Sequence, residues 1–267
     1  MAARQKKAST PTHSPAFNPA GKLVSVFGES PLAEEFATRC VARGFSVHMR
    51  INPGSAGATK ALLPKGTRLV TRPDPKTYVA IEVTNISSEA KRKNLADLDK
   101  ALRPATPILS SSVTMLMAEQ VSWVARPRRV IGIGALPSLL DGGLMEFAPS
   151  ALTDEETLAS AKEFAAALEK EPAVVQDSVG LVLPRILCML ANEACFARME
   201  GVSSGEDIDT AMRLGTNYPR GPMEWAERIG ARQVLAVVAA LHASYGEDRY
   251  RPAPFLRKAA FYGSFLQ

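Results

Sequence analysis

The sequence predicts an α/β fold, a mostly parallel sheet followed by an all-α C-terminal domain, and three observations carry that expectation. From Gly21 to about Ala148, short apolar runs alternate with amphipathic stretches, the pattern of a parallel sheet with helices on both faces. The first run ends on a glycine and passes straight into a helical stretch. After Gly180 the pattern is helical, and Gly201, Gly215 and Gly230 divide it as helix-ending glycines do. With 267 residues, 46% hydrophobic and 22% charged, the chain is large and apolar enough to bury a core.

Taken in order, residues 1–20 read as a disordered basic tail, rich in Ser, Thr and Pro with little to bury. Residues 1–22 hold Arg4, Lys6, Lys7 and Lys22 and no acid, so they carry +4 of the net +5. The remainder is near +1, which is no electrostatic footprint for nucleic acid. No apolar run approaches the roughly 18 residues of a membrane span, and the N-terminal segment lacks the apolar centre of a secretory signal. Cys40, Cys188 and Cys195 lie in apolar helical patterns without metal-ligand spacing, as buried free thiols of a reducing compartment do. The expectation is a cytoplasmic chain with no nucleic-acid partner, no membrane partner and no metal; the basic tail leaves organelle import open.

Candidate strands are L-V-S-V-F (23–27), F-S-V-H-M-R-I (45–51), V-A-I-E-V (79–83), P-I-L-S (107–110) and V-I-G-I-G (130–134). Amphipathic stretches at 31–43 and 88–102 lie between them, whereas 52–76, rich in Pro and Gly, predicts no helix. T-D-E-E at 153–156 reads as a capping box, Thr153 at the N-cap and Glu156 three residues on, opening a helix to about Lys170. A short strand, A-V-V-Q (173–176), follows. Helices are then expected to about Glu200, over 205–214, from about 222, and over 232–244. The organisation is a tail (1–20), a Rossmann-like dinucleotide-binding domain (21–176) and a helical C-terminal domain (177–267).

The turn after the first strand, F-G-E-S-P-L-A (27–33), has the outline of a dinucleotide-binding site. Such a turn uses its first glycine to bend, its second to let the backbone approach a pyrophosphate, and its third, replaceable by alanine, to pack helix on strand. Gly28 and Ala33 meet the first and third requirements. Ser30 stands at the second with a Cβ where phosphates would lie, Pro31 removes an N–H, and Glu29 brings negative charge to a helix N-terminus. The second strand ends H48-M49-R50-I51-N52, with no acid for a ribose; Arg50 could instead accommodate a 2′-phosphate, so NADP is conceivable beside NAD.

D-S-V-G-L-V-L-P-R-I-L-C-M-L-A-N-E-A (177–194), G-V-S-S-G-E-D-I-D-T-A-M-R-L-G (201–215), Y-P-R-G-P-M-E-W-A-E-R-I-G (218–230) and Y-G-E-D-R-Y-R-P-A-P-F-L-R-K (245–258) resemble the C-terminal domain of the L-3-hydroxyacyl-CoA dehydrogenases. The resemblance runs from about Gly21 to Leu266. It implies oxidation of the 3-hydroxyl of an acyl-CoA with hydride transfer to NAD, a histidine base oriented by a glutamate, and a serine and an asparagine on the substrate's polar atoms. It also implies a helical domain that closes over the nucleotide domain and forms a homodimer. By the same resemblance Gly134 stands at the histidine position, Glu146 at the glutamate and Pro184 at the asparagine. Thr114, in S110-S111-S112-V113-T114, stands at the serine, with Ser112 beside it toward substrate. Lys91 matches a lysine near the CoA moiety, and Ile86 falls on a glutamate position.

Glycine supplies no base, and a general base is worth about a hundred- to ten-thousand-fold in rate. His13 lies in the tail, His48 on the second strand and His242 in the last helical segment, while Asp141 lies in the loop after Gly134, and a solvated aspartate is a poor base for an alcohol. Three readings stand: the family reaction, impaired or served by another base; a non-catalytic homologue that binds acyl-CoA or a partner subunit; and an NADP-dependent reductase of a related carbonyl.

Overall fold

A computed structural model describes residues 18–54 and 63–265, so the expected tail and His13 lie outside the described residues apart from residues 18–20. The strands β1 (Leu23–Gly28), β2 (Ser46–Ile51), β3 (Thr67–Leu69), β4 (Val79–Val83), β5 (Ile108–Ser111), β6 (Val130–Ile133), β7 (Leu144–Pro149) and β8 (Glu171–Val174) form one sheet, ordered β3-β2-β1-β4-β5-β6-β7-β8. Its pairs are parallel except β6 with β7. That exception follows from the connection, since residues 134–143 contain no crossover helix and only an antiparallel pair closes over so short a link.

The helices are α1 (Leu32–Ala42), α2 (Ser88–Ala101), α3 (Met117–Gln120), α4 (Glu155–Ala167), α5 (Leu183–Met199), α6 (Gly205–Thr216), α7 (Pro222–Ile229), α8 (Ala231–Tyr245) and α9 (Pro254–Tyr262). β1 is buried on both faces, as a central parallel strand must be. Val24 and Val26 face a core shared with Phe36 and Cys40 of α1 and Phe164 of α4. Phe27 faces the opposite layer, with Leu95 and Leu98 of α2. A separate core joins α5, α7, α8 and α9 around Cys188, Cys195, Val234, Val238 and Leu256. All three cysteines are buried and unpaired, and burial pushes the Cys195 thiol up to about 12.

The α/β class and the helical second half are as expected, and several local details differ, among them β3 and α9, which fall on no expected element. The N-cap of α4 is Asp154, not Thr153: the Asp154 carboxylate accepts from Thr157 N at 2.8 Å, while the Thr153 hydroxyl donates to Val130 O at 2.8 Å. Two adjacent cap-forming residues compete, and the one whose side chain is spent on the neighbouring strand yields. β8 begins at Glu171, so the expected strand is displaced by two residues toward the N-terminus. β7, which carries Glu146, lies where no strand was expected.

β1 fixes where a ligand would sit. The chain runs from β1 to β2 and β3 on one side, then returns to β4 on the other, so the connections diverge at β1. In open α/β sheets the ligand crevice lies outside the carboxyl ends of the strands at such a point.

Candidate active site

Gly28 closes β1 against β4 so tightly that a Cβ there would lie 2.6 Å from Val83 O. The next residue, Glu29, sends its side chain across the crevice. Its Oε1 accepts from Asn85 N at 2.9 Å and from Gln233 Nε2 at 2.5 Å, and its Oε2 accepts from Ile86 N at 3.3 Å. Asn85 and Ile86 follow the carboxyl end of β4, and Gln233 comes from the first turn of α8. Glu29 is 5% exposed, and this burial raises its pKa above the ordinary carboxylate value, against the pull of its three donors.

Asn85 extends the network. Its amide donates to Gln233 Oε1 and to Ala135 O, both at 2.9 Å, and its Oδ1 accepts from Ser111 Oγ at 2.6 Å. Thr114 Oγ1 donates to Asn85 O at 2.8 Å. One buried polar cluster therefore ties together the carboxyl ends of β1, β4, β5 and β6 and the start of α8.

Positions 134 and 146 are neighbours across the β6–β7 pair. Gly134 N donates to Glu146 O at 3.1 Å, and a Cβ at 134 would stand 3.1 Å from Glu146 Oε2. Glu146 itself is buried and turned onto α5: Oε1 accepts from Leu183 N at 2.7 Å and Oε2 from Val182 N at 3.1 Å. These are amides at the start of a helix, unsatisfied within it and favourable to an anion.

Residues 71–178 match the 3-hydroxyacyl-CoA dehydrogenase NAD binding domain, and residues 180–266 match the C-terminal domain of the same enzymes. A 3-hydroxybutyryl-CoA dehydrogenase of Bradyrhizobium diazoefficiens is 34% identical over 89% of this chain and 89% of its own. This chain belongs to the 3-hydroxyacyl-CoA dehydrogenase family. The (S)-3-hydroxybutyryl-CoA dehydrogenase PaaH1 from Ralstonia eutropha matches with TM-score 0.72 and 25% identity, covering 91% of this chain and 94% of that one. FadB2 of M. tuberculosis shares the fold, with TM-score 0.76 at 20% identity over 91% of this chain and 95% of its own.

The remaining positions that the family resemblance singled out are now placed. Pro184 sits buried in the first turn of α5, where a missing N–H costs nothing. Ser112 is fully buried, its N donating to Ile133 O at 3.0 Å and its hydroxyl without a partner among the described residues. Lys91, expected near a CoA moiety, is 1% exposed. Its ammonium donates to Glu82 and, at 2.8 Å, to Ser111 O, so its charge is spent between α2 and the sheet. Ser30 donates to Glu34, and the buried Ala33 packs α1 on the sheet. Arg50 is committed as well: it donates to Asp97 Oδ2 and Asn94 Oδ1, both at 2.7 Å, and lies 4.2 Å over the Phe27 ring.

Asp141 pairs with Arg39 at 3.5 Å and Arg228 at 2.8 Å, and so links α1 to α7. Sequence reasoning missed Asn85 and Gln233. Asn85 carried a faint signal, a polar residue just past a buried strand. Gln233 carried none, because it lies 204 residues from Glu29. A cavity of about 520 Å³ lies between Glu29, Ile86, Arg232 and Tyr262, and another of about 480 Å³ lies beside Arg50, Leu69 and Lys93.

Proposed function

We propose that this chain keeps the frame of the 3-hydroxyacyl-CoA dehydrogenases while the family reaction, L-3-hydroxyacyl-CoA and NAD to 3-ketoacyl-CoA and NADH, is severely impaired. One observation carries the reading: position 134 is glycine and the carboxylate beside it, Glu146, is engaged by the N-terminus of α5. A base that is missing forfeits about a hundred- to ten-thousand-fold in rate. Among the described residues, Glu29 is held by three donors, Asp141 lies outside the cluster between two arginines, and His48 is on β2 with Asp74 3.7 Å away.

The hydroxyl and amide positions fare alike. Thr114 is engaged by Asn85 O, and Pro184 has no amide to offer. The resemblance to 3-hydroxybutyryl-CoA dehydrogenases favours a short acyl chain for whatever thioester the chain binds. NAD affinity is reduced in this reading, since Ser30 and Pro31 offer neither the close backbone approach nor the N–H that a pyrophosphate requires. Arg50, already neutralised by Asp97, gives NADP no advantage. A non-catalytic role, with acyl-CoA or a partner subunit as ligand, is what this loss would leave. The functional form is a homodimer through the helical half, where α6 has no buried residue and Leu214 is 83% exposed.

The test is steady-state NADH consumption with excess acetoacetyl-CoA, for the wild type and Glu146→Gln. No rate above the blank is expected. Steady consumption that falls in Glu146→Gln would overturn the reading, because Glu146 would then act on the reaction.

A further inference from the structure

We propose that Glu29 is an anion supplied by the chain itself: its carboxylate lies in the crevice where a dinucleotide phosphate would run, and with Gln233 it clamps the helical half onto the sheet. The inference rests on the impaired-reaction reading but concerns ligand entry rather than chemistry. Position decides the first part. Glu29 directly follows β1 and reaches the amides of Asn85 and Ile86, just past Thr84 at the end of β4, so the side chain bridges the two strand ends that bound the crevice. Backbone N–H groups before a helix such as α2 are the donors that would otherwise meet an incoming anion. Here they already hold one.

The second part follows from Gln233. Its Nε2 donates to Glu29 and its Oε1 accepts from Asn85 Nδ2, so a single side chain of α8 closes a ring with both residues. Gln233 and Asn85 are 4% and 6% exposed, and parting the halves would strip these hydrogen bonds from groups that water cannot reach while they are closed. Asp141, pairing with Arg39 and Arg228, spans the same two halves at the surface. The cavity of about 520 Å³ beside the ring has Glu29 in its wall. Arg232 stands in that wall too, its Nε donating to Ala260 O, yet an anion entering along the turn meets the Glu29 carboxylate.

Two readouts test this on the full chain: NADH binding by fluorescence titration, and hydrogen exchange at the amides of Asn85 and Ile86. The wild type is expected to show no saturable NADH binding and strong protection at both amides. Glu29→Ala is expected to bind NADH at least tenfold more tightly than wild type and to exchange both amides at least tenfold faster. Gln233→Ala leaves the turn intact and removes only the far side of the ring, so it keeps the test open if Glu29→Ala does not fold; it too should speed exchange. Tight NADH binding by the wild type, or unchanged binding and exchange in both variants, would overturn the proposal. Wild-type NADH binding without turnover would sink this proposal and leave the impaired-reaction reading standing, whereas turnover would sink that reading.

Discussion

Glu146 holds two amides of α5 beside a glycine that cannot use it. Removing that carboxylate leaves two N–H groups without an acceptor and a helix terminus without its countercharge. Glu146→Ala should therefore cost about 2 kcal/mol in urea denaturation with an unchanged m-value; a cost near zero would mean that water serves the helix as well. Glu29 makes a different prediction. Burial sets its folded-state pKa above the ordinary 4.5, with the nearby Glu82 charge adding a little and its hydrogen bonds opposing. The folded state then holds this proton more tightly than the unfolded state, so the stability it contributes is present below 4.5 and is lost as pH rises through the raised value. The stability of wild type minus that of Glu29→Gln should fall as pH rises from 4.5 through that raised value. A difference that grows over that range contradicts the burial argument. At this scale Gly134, Pro184 and Ser30 were legible, because an absent base, an absent side-chain amide and an added Cβ are facts of sequence. The partners of Glu29, Asn85 and Lys91 were not, because they come from distant strands and helices.

The strands that build the crevice were legible as elements because each is a short apolar run bounded by turn residues. β7 was not, since L-M-E-F-A-P carries a glutamate and a proline and pairs antiparallel after an irregular loop. Lys170 steadies that loop, its ammonium donating to Leu140 O at 2.6 Å and to Gly142 O. The start of α4 turned on a competition that spacing alone does not decide. Asp154 wins because Thr153 is held by β6. Asp154→Ala should cost about 1 kcal/mol by thermal or urea unfolding, the usual loss for a capping side chain; no loss would return the cap to Thr153.

Over the whole molecule, the division into a sheet half and a helical half could be read directly, because the hydrophobic period changes after Gly180. How the halves meet could not, since Glu29–Gln233 and Asp141–Arg228 join residues with no local relation. Val202, before α6, and Leu214, in its last turn, are 72% and 83% exposed, and the proposed homodimer would cover them. A homodimer is expected by light scattering, and Leu214→Asp should shift it toward monomer; a monomeric wild type would remove that proposal. The proposed reading is a family frame that survives here without the family's chemistry. Single-turnover NADH oxidation, with protein in excess over nucleotide and acetoacetyl-CoA saturating, isolates that chemistry from product release. No first-order phase above the blank is expected. A phase within about a hundredfold of what a histidine base would give contradicts that reading, and the proton would then have to come from a group other than position 134.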